Sequence, residues 1–336
     1  MPSSINPKMS VTLLYDGILA GDRPLLAKAI TLTESTLAGD RKTAEELLKK
    51  LLPHTGKSLR IGITGVPGVG KSTFIEVLGE LVTGEGKKVG VLAIDPSSQK
   101  SKGSILGDKT RMERLSRNPN VFIRPTPTGL ALGGVSWHTR ETILLCEAAG
   151  FNVILIETVG VGQSETYVRS MVDFFLLLLL GGAGDELQGI KKGIMEMVDG
   201  VAINKTDGEN IKASLQAKAD ALSALHLQPP SASGWTPKVF TVSARENKGI
   251  ADVWNMVLTY QQHTVQTGYF QENRELQKKQ WLEESIESNY REFLSRPSII
   301  EAKEKLLNEV MDNRLLPSEA AHQFWDVVIR LEKNTR

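Results

Sequence analysis

A single cysteine, Cys146, stands in a chain of 336 residues. One thiol cannot close a disulfide within the chain, and a cysteine-based metal site would lack its other ligands. The five histidines (His54, His138, His226, His263 and His322) show no ligand spacing, so they read as surface or packing residues. Neither sign of charge dominates: 40 basic residues stand against 39 acidic ones, a net charge of +1. A chain so balanced has no global field to recruit nucleic acid or an anionic membrane, and neither is expected as a partner. Long apolar runs are absent as well. The longest, FFLLLLL at 174–180, has seven residues. A membrane span needs about 20, so this run reads as a buried strand. The opening MPSSINPKMS has no apolar signal core and no arginine-rich amphipathic stretch, and a cytoplasmic location is the expectation. There is no internal repeat and no low-complexity segment.

The composition, 40% hydrophobic and 24% charged, suits a soluble protein with one large domain and a smaller one. Three zones follow from patterning. Residues 1–56 read as an N-terminal helical extension, in which TAEELLKKLL places Leu47, Leu48, Leu51 and Leu52 on one stripe before Pro53 and Gly56 break it. Residues 57–260 alternate apolar runs with longer amphipathic ones. The runs are LRIGIT at 59–64, KVGVLAI at 88–94, NVFIRP at 120–125, NVILIE at 152–157, FFLLLLL at 174–180, VAIN at 201–204 and KVFTVS at 238–243. Such alternation predicts an α/β domain with a mostly parallel central sheet covered on both faces. PPSASGW at 229–235 reads as a loop insertion. Residues 261–336 read as helical. Leu282, Ile286, Tyr290 and Phe293 line a long amphipathic helix that Pro297 ends, and two more helical stretches follow. Their apolar stripe must be buried, either on its own domain or in a homodimer interface.

GVPGVGKST at 65–73 follows a strand and opens the helix-like TFIEVLGELV, so it matches the phosphate-binding pattern G-x-x-x-x-G-K-[ST] in the context that pattern requires. The fold class is therefore a P-loop NTPase. The backbone N–H groups of Gly65, Val66, Pro67, Gly68, Val69, Gly70, Lys71, Ser72 and Thr73 (proline excepted) are candidates to cradle phosphate, with the helix dipole behind them. Lys71 would reach the β- and γ-phosphates, and the Ser72 hydroxyl would bind Mg²⁺.

NKTD at 204–207 closes the strand VAIN. In a P-loop protein it reads as a base-recognition loop. Guanine presents two neighbouring donors, N1–H and the 2-amino group, and one carboxylate, Asp207, can accept both. Adenine offers no such pair, and an unmatched buried carboxylate is costly. Lys205 would lie along base and ribose, and Asn204 would hold the loop or contact the base. SAREN at 243–247 fits the companion loop of Ser243, Ala244 and Arg245, where a backbone N–H, that of Ala244, would meet guanine O6. The expected ligand is GTP or GDP rather than an adenine nucleotide.

Three acids compete for the Mg²⁺ and switch roles: Asp95 in AIDPSS, Asp108 in GSILGDKTRM, and Glu157 in ETVGVGQSE. Turn chemistry alone would account for Asp95, and a solvated loop for Asp108. Glu157 is followed at the expected distance by Gly160, as in a γ-phosphate sensor. In Ras-like GTPases a water-orienting Gln comes directly after that glycine. Here Val161 follows and Gln163 comes two residues later. Slow hydrolysis that a partner or second subunit accelerates is the expectation, with Lys71, Glu157 and Gln163 as the catalytic candidates.

GVPGVGKST, AIDPSS, GDKTRM, ETVGVGQSE, GAGDELQGIKKGIMEMVD and NKTD occur in this order. Together they resemble the GTPases associated with methylmalonyl-CoA mutase, once catalogued as lysine/arginine/ornithine transport ATPases. The resemblance covers most of 57–260 and, more loosely, both helical ends. It implies a metallochaperone-type GTPase that binds nucleotide as a homodimer. It further implies a chaperone for an adenosylcobalamin-dependent mutase, gating cofactor loading by an adenosyltransferase and promoting removal of inactivated cofactor. By the same resemblance Asp95, Asp108 and Glu157 are Mg²⁺ and switch residues, and 183–197 is a third switch segment. SWHTRE at 136–141, with Trp137 and His138, and the apolar FFLLLLLGG are less typical of the family. The older family name keeps a second reading open, a kinase or ATPase acting on a basic amino-acid transport component.

Overall fold

A computed structural model describes residues 10–95, 112–127, 138–158, 164–182 and 192–335. By contacts the chain divides into two compact units, Met1–Glu275 and Leu276–Arg336.

The first unit is built on seven strands, one for each of the apolar runs. They are β1 (Leu59–Gly65), β2 (Val89–Asp95), β3 (Val121–Pro127), β4 (Val153–Glu157), β5 (Phe174–Leu180), β6 (Gly200–Asn204) and β7 (Lys238–Thr241). They form one sheet in the order β3-β2-β4-β1-β5-β6-β7, and every neighbouring pair is parallel. A parallel sheet needs cover on both faces because helical crossovers lie on each side. That requirement explains FFLLLLL. Phe174, Leu176 and Leu178 point into one core and Phe175, Leu177 and Leu179 into the other.

Three helices precede the sheet: α1 (Val11–Leu19), α2 (Arg23–Thr33) and α3 (Ala38–Leu51). Ser10 caps α1 and Asp22 caps α2, each accepting a first-turn N–H. Leu47 and Leu51 of the α3 stripe are buried, whereas Leu52 falls in the 3-10 turn Leu52–His54 and is exposed. The helices α4 (Lys71–Gly84), α5 (Glu113–Ser116), α6 (His138–Ala148), α7 (Ser164–Arg169), α8 (Lys192–Met195), α9 (Ile211–His226) and α10 (Ile250–Thr267) alternate with the strands or follow them. PPSASGW lies between α9 and β7 as a loop, but it is anchored: the buried Trp235 donates its Nε1–H to the Asp199 carbonyl at 2.8 Å. Among the described residues no helix is long and apolar enough to cross a membrane.

The division between the units falls inside α11 (Tyr269–Leu294). The second unit continues with α12 (Pro297–Met311) and α13 (Pro317–Thr335). Pro297 does more than stop α11, which already ends at Leu294. It sits in the first turn of α12, where its missing N–H costs nothing. Ile299 and Val328 are buried, and Tyr290 stacks on Trp325 with ring centroids 5.9 Å apart. Leu282 and Ile286 stay exposed, each 61% accessible.

At the amino edge of the sheet the first unit is tied by buried charges. Arg274 Nε and NH2 donate to the two Asp173 carboxylate oxygens at 2.8 and 2.7 Å. Its NH1 and NH2 also donate to the carbonyls of Gly56 and Ser58, both at 2.5 Å. Asp173 accepts the Arg60 backbone N–H as well. Removing one partner of a buried pair strands the other charge. Arg274→Ala is thus expected to lower unfolding free energy by about 3–5 kcal/mol. Urea unfolding followed by circular dichroism checks this, and a loss under about 1 kcal/mol, the scale of a surface pair, would refute it.

Candidate functional site

In an open parallel sheet, ligands bind beyond the carboxyl ends of the strands where the strand order reverses. Here that point is β1. The chain runs outward to β2 and β3, returns to β4 beside β1, then crosses to β5 on the other side. GVPGVGKST follows β1 directly, so local sequence puts a glycine-rich turn at the one place topology favours.

The turn closes with Val69 N–H donating to the Val66 carbonyl at 3.3 Å. Gly70 then takes φ +94°, and a Cβ there would stand 2.8 Å from Asn204 Nδ2, so glycine is required. Helix α4 begins at once with Lys71. Pro67, Gly68 and Thr73 are exposed, Val66, Gly70 and Ser72 are half-buried, and Val69 is buried. Lys71 is buried too, its Nζ donating to the carbonyls of Gly65 at 2.7 Å and Val66 at 3.2 Å. Burial pushes its pKa below the usual lysine value, and the carboxylates of Glu157 and Glu165 act against that shift.

Ser72 Oγ donates to Glu157 Oε1 at 3.2 Å. Glu157 ends β4, in register with Ile63 of β1 and Ala93 of β2. Asp95 ends β2 on the same carboxyl edge. A serine hydroxyl beside a carboxylate is the hard-oxygen donor chemistry that Mg²⁺ takes, so the residues present fit that ion. Asp108, Gly160, Val161 and Gln163 lie outside the described residues, as do Trp137 and residues 183–191 of the expected third switch segment. His138 opens α6 and faces Glu141 of the same helix at 3.5 Å.

The base-recognition candidates meet the P-loop directly. Asn204 ends β6; its Nδ2 donates to the Val69 carbonyl at 2.9 Å, and its Oδ1 accepts the Ala244 N–H at 3.3 Å. Of the two roles open to Asn204, the structure displays the holding one. The Ala244 N–H is turned to Asn204, not left facing outward. Lys205 adopts a left-handed φ of 59° and its Nζ donates to the Gly68 carbonyl at 2.8 Å. Asp207 accepts the Ser243 hydroxyl at 2.5 Å, and Ser243 Oγ in turn accepts the Glu246 N–H at 3.2 Å. Ser243 and Lys248 exchange both backbone bonds at 3.0 Å, which folds SAREN into a closed loop, with Arg245 exposed on it.

Two further features line this edge, and the first carried no sequence signal of its own. Thr158 donates its hydroxyl to Thr64 Oγ1 at 2.8 Å, and its N–H goes to the Ile63 carbonyl. Both threonines are buried and prolong the β1–β4 pairing by one residue beyond Glu157. Glu165, in the first turn of α7, is only 3% exposed and lies within electrostatic reach of Lys71. A strand-end threonine is too common to stand out beforehand, whereas Glu165 stands in ETVGVGQSE as a candidate to complete the switch site and only its burial comes from the fold.

Comparison with known proteins follows the same lines. The family described as methylmalonyl Co-A mutase-associated GTPase MeaB matches residues 26–296. A probable GTPase of Mycobacterium tuberculosis is 47% identical over 94% of this chain and 94% of its own. The mouse protein named methylmalonic aciduria type A homolog, mitochondrial, is 46% identical over 93% of this chain and 78% of its own. Among solved structures, one described as LAO/AO transport system kinase superposes with a TM-score of 0.76 at 36% identity, covering 97% of this chain and 99% of that one. The chain belongs to the methylmalonyl-CoA mutase-associated GTPases and is a guanine-nucleotide-binding GTPase of that family.

Proposed function

We propose that this GTPase assists an adenosylcobalamin-dependent acyl-CoA mutase, gating cofactor loading from an adenosyltransferase and promoting removal of spent cofactor. The family description and the name of the mouse relative support the mutase as partner. The observation that carries the nucleotide half of the reading is the Asn204 bridge, because it holds P-loop, NKTD and SAREN as one surface.

Gly65, Val66, Pro67, Gly68, Val69, Gly70 and Thr73 form the phosphate cradle on this reading. Lys71 exchanges its two carbonyl acceptors for phosphate oxygens, which are charged and accept more strongly. Ser72, Asp95, Asp108 and Glu157 hold Mg²⁺, directly or through water. When bound, that ion neutralises charge developing on the phosphoryl oxygens. Asp207 accepts from guanine N1–H and the 2-amino group; Ser243 fixes the carboxylate, Lys205 flanks the base, and Ala244 and Arg245 close the pocket. Glu157-x-x-Gly160 is the γ-phosphate switch, with Gln163 or the buried Glu165 as candidates to order the attacking water. The exposed stripe of Leu282, Ile286 and Tyr290 meets a second copy of the chain to form a homodimer. A second reading draws on the transport-kinase name of the solved relative: a kinase acting on a transport component for basic amino acids.

Asp207→Asn is expected to weaken GTP binding by roughly 1–3 kcal/mol, the cost of an unmatched buried polar group, and to leave the unfolding midpoint unchanged. Titration calorimetry with GTP measures this, and unaltered affinity would remove Asp207 from base recognition. Turnover of the isolated protein should stay below roughly 1 s⁻¹, the low end of ordinary enzymes, and rise with the mutase present. Pull-down of the mutase should differ between GDP and a non-hydrolysable GTP analogue. Equal capture in both states would sink the chaperone reading, and label moving from GTP to a protein or amino acid instead of free phosphate would favour the kinase. Leu282→Glu with Ile286→Glu should turn a sedimenting dimer into a monomer, and a monomeric parent protein would refute the interface.

A further inference from the structure

Helix α7 takes in the last two residues of ETVGVGQSE and is seated against β1, the strand that feeds the phosphate loop. Glu165, Val168 and Arg169 recur at i, i+3 and i+4, so they share one face of the helix. That face is turned inward: Glu165 is 3% exposed and Val168 is fully buried, whereas Thr166 is exposed. Val168 rests on Gly62 of β1. A Cβ at Gly62 would stand 2.9 Å from Val168 Cγ1 and 2.6 Å from Phe175 Cδ2, so the missing side chain is what lets helix and strand approach.

Polar contacts fix the far end of the helix. Arg169 NH1 donates to Asp199 Oδ2 at 2.6 Å, and its NH2 donates to Asp199 Oδ1 at 3.3 Å. Asp199 immediately precedes β6, is buried, and accepts the Phe175 N–H through Oδ2 at 2.9 Å. A two-pronged guanidinium–carboxylate pair sets direction as well as position. Beside it, Arg140 of α6 donates from NH2 to Ser170 Oγ at 2.7 Å, and its guanidinium lies 5.1 Å from the centroid of the Tyr167 ring. A helix of six residues held at Tyr167, Val168 and Arg169 carries Glu165 with it, one turn away. The carboxylate is thereby kept on the buried side, within electrostatic reach of Lys71.

Lys71 is itself buried, and its Nζ donates to the neutral carbonyls of Gly65 and Val66. To bind nucleotide it must exchange these for phosphate oxygens. A buried carboxylate nearby opposes that exchange. It stabilises the ammonium while the site is empty and repels phosphate as it enters. Glu157 turns to Mg²⁺ when nucleotide is bound, which leaves Glu165 as the acid set against the incoming phosphates. We propose that Glu165 competes with the phosphates for the Lys71 ammonium and so shortens the residence of bound nucleotide, with Arg169 as its positioning residue. This role concerns binding and differs from ordering the attacking water. The inference rests on the reading in which Lys71 takes the phosphates.

Release of fluorescent GDP from the full-length protein, chased with unlabelled GDP in the presence of Mg²⁺, tests it, together with GTP turnover and the thermal midpoint. Glu165→Gln removes the charge at nearly constant shape and should slow release about tenfold, the scale of one unit charge at an intermediate dielectric. The sign is diagnostic, because damage to the pocket would speed release. Arg169→Gln combined with Asp199→Asn strands no charge and keeps an acceptor for the Phe175 N–H. It should also slow release, and in the Glu165→Gln background it should add nothing. Gly62→Ala pushes α7 from β1 with every charge in place and should slow release as well; it decides the matter should either of the others not fold. Release at or above the parental rate in Glu165→Gln overturns the inference, and if turnover falls at the same time the residue belongs with the attacking water instead. Slow release in Glu165→Gln with parental or faster release in the other two variants overturns the part given to Arg169. Lys71→Ala should lose GDP binding; parental binding there would overturn the reading beneath the inference as well as the inference itself.

Discussion

One carboxamide holds the nucleotide edge together. Asn204 donates to the Val69 carbonyl and accepts the Ala244 N–H. These two bonds join three loops that leave β1, β6 and β7, strands that are not all neighbours in the sheet. An amide can do this because it is both donor and acceptor at fixed separation. Aspartate would lose the donor, and an apolar residue would leave two buried backbone groups unpaired. Gly70 must be glycine for the same reason, since the amide nitrogen occupies the space a Cβ would need. The Lys205 ammonium adds a second strut to the Gly68 carbonyl. The P-loop is therefore shaped from the base-recognition side as well as by its own glycines.

The two edges of the sheet use charge differently. At the amino edge, Asp173 and Arg274 are paired, hydrogen-bonded and buried, which orders the chain between β1, β5 and α11. At the carboxyl edge, Lys71 is buried beside backbone carbonyls with Glu157 and Glu165 within electrostatic reach. A cation held mainly by neutral carbonyls is ready to take stronger, charged acceptors. The first arrangement serves stability, and the second suits exchange with phosphate.

Much of this was legible in advance for particular reasons. The seven strands are apolar on both faces, so they stand out as runs regardless of partner. The P-loop and NKTD are legible because phosphate and guanine impose short, contiguous patterns on the chain. The Thr64–Thr158 pair and the acceptance of the Arg114 N–H by Glu76 were not legible, and of Glu165, a candidate within ETVGVGQSE, only the burial was not. Each depends on residues 38 to 94 positions apart or on burial, and their identities are ordinary for their elements. Asn204 was half legible, since its place in the motif was clear but its choice between base and loop was not.

Local chemistry written in the chain determined which elements form and which residues can touch a nucleotide. Hydrophobic period, glycine placement and hydrogen-bonding groups act over a few residues, and they can be read without the fold. Strand order, the register that sets Glu157 opposite Ile63, and the meeting of Glu76 with Arg114 were decided only by tertiary structure. Parallel pairing joins segments far apart in sequence, and a contact of that kind leaves no periodic trace in either partner.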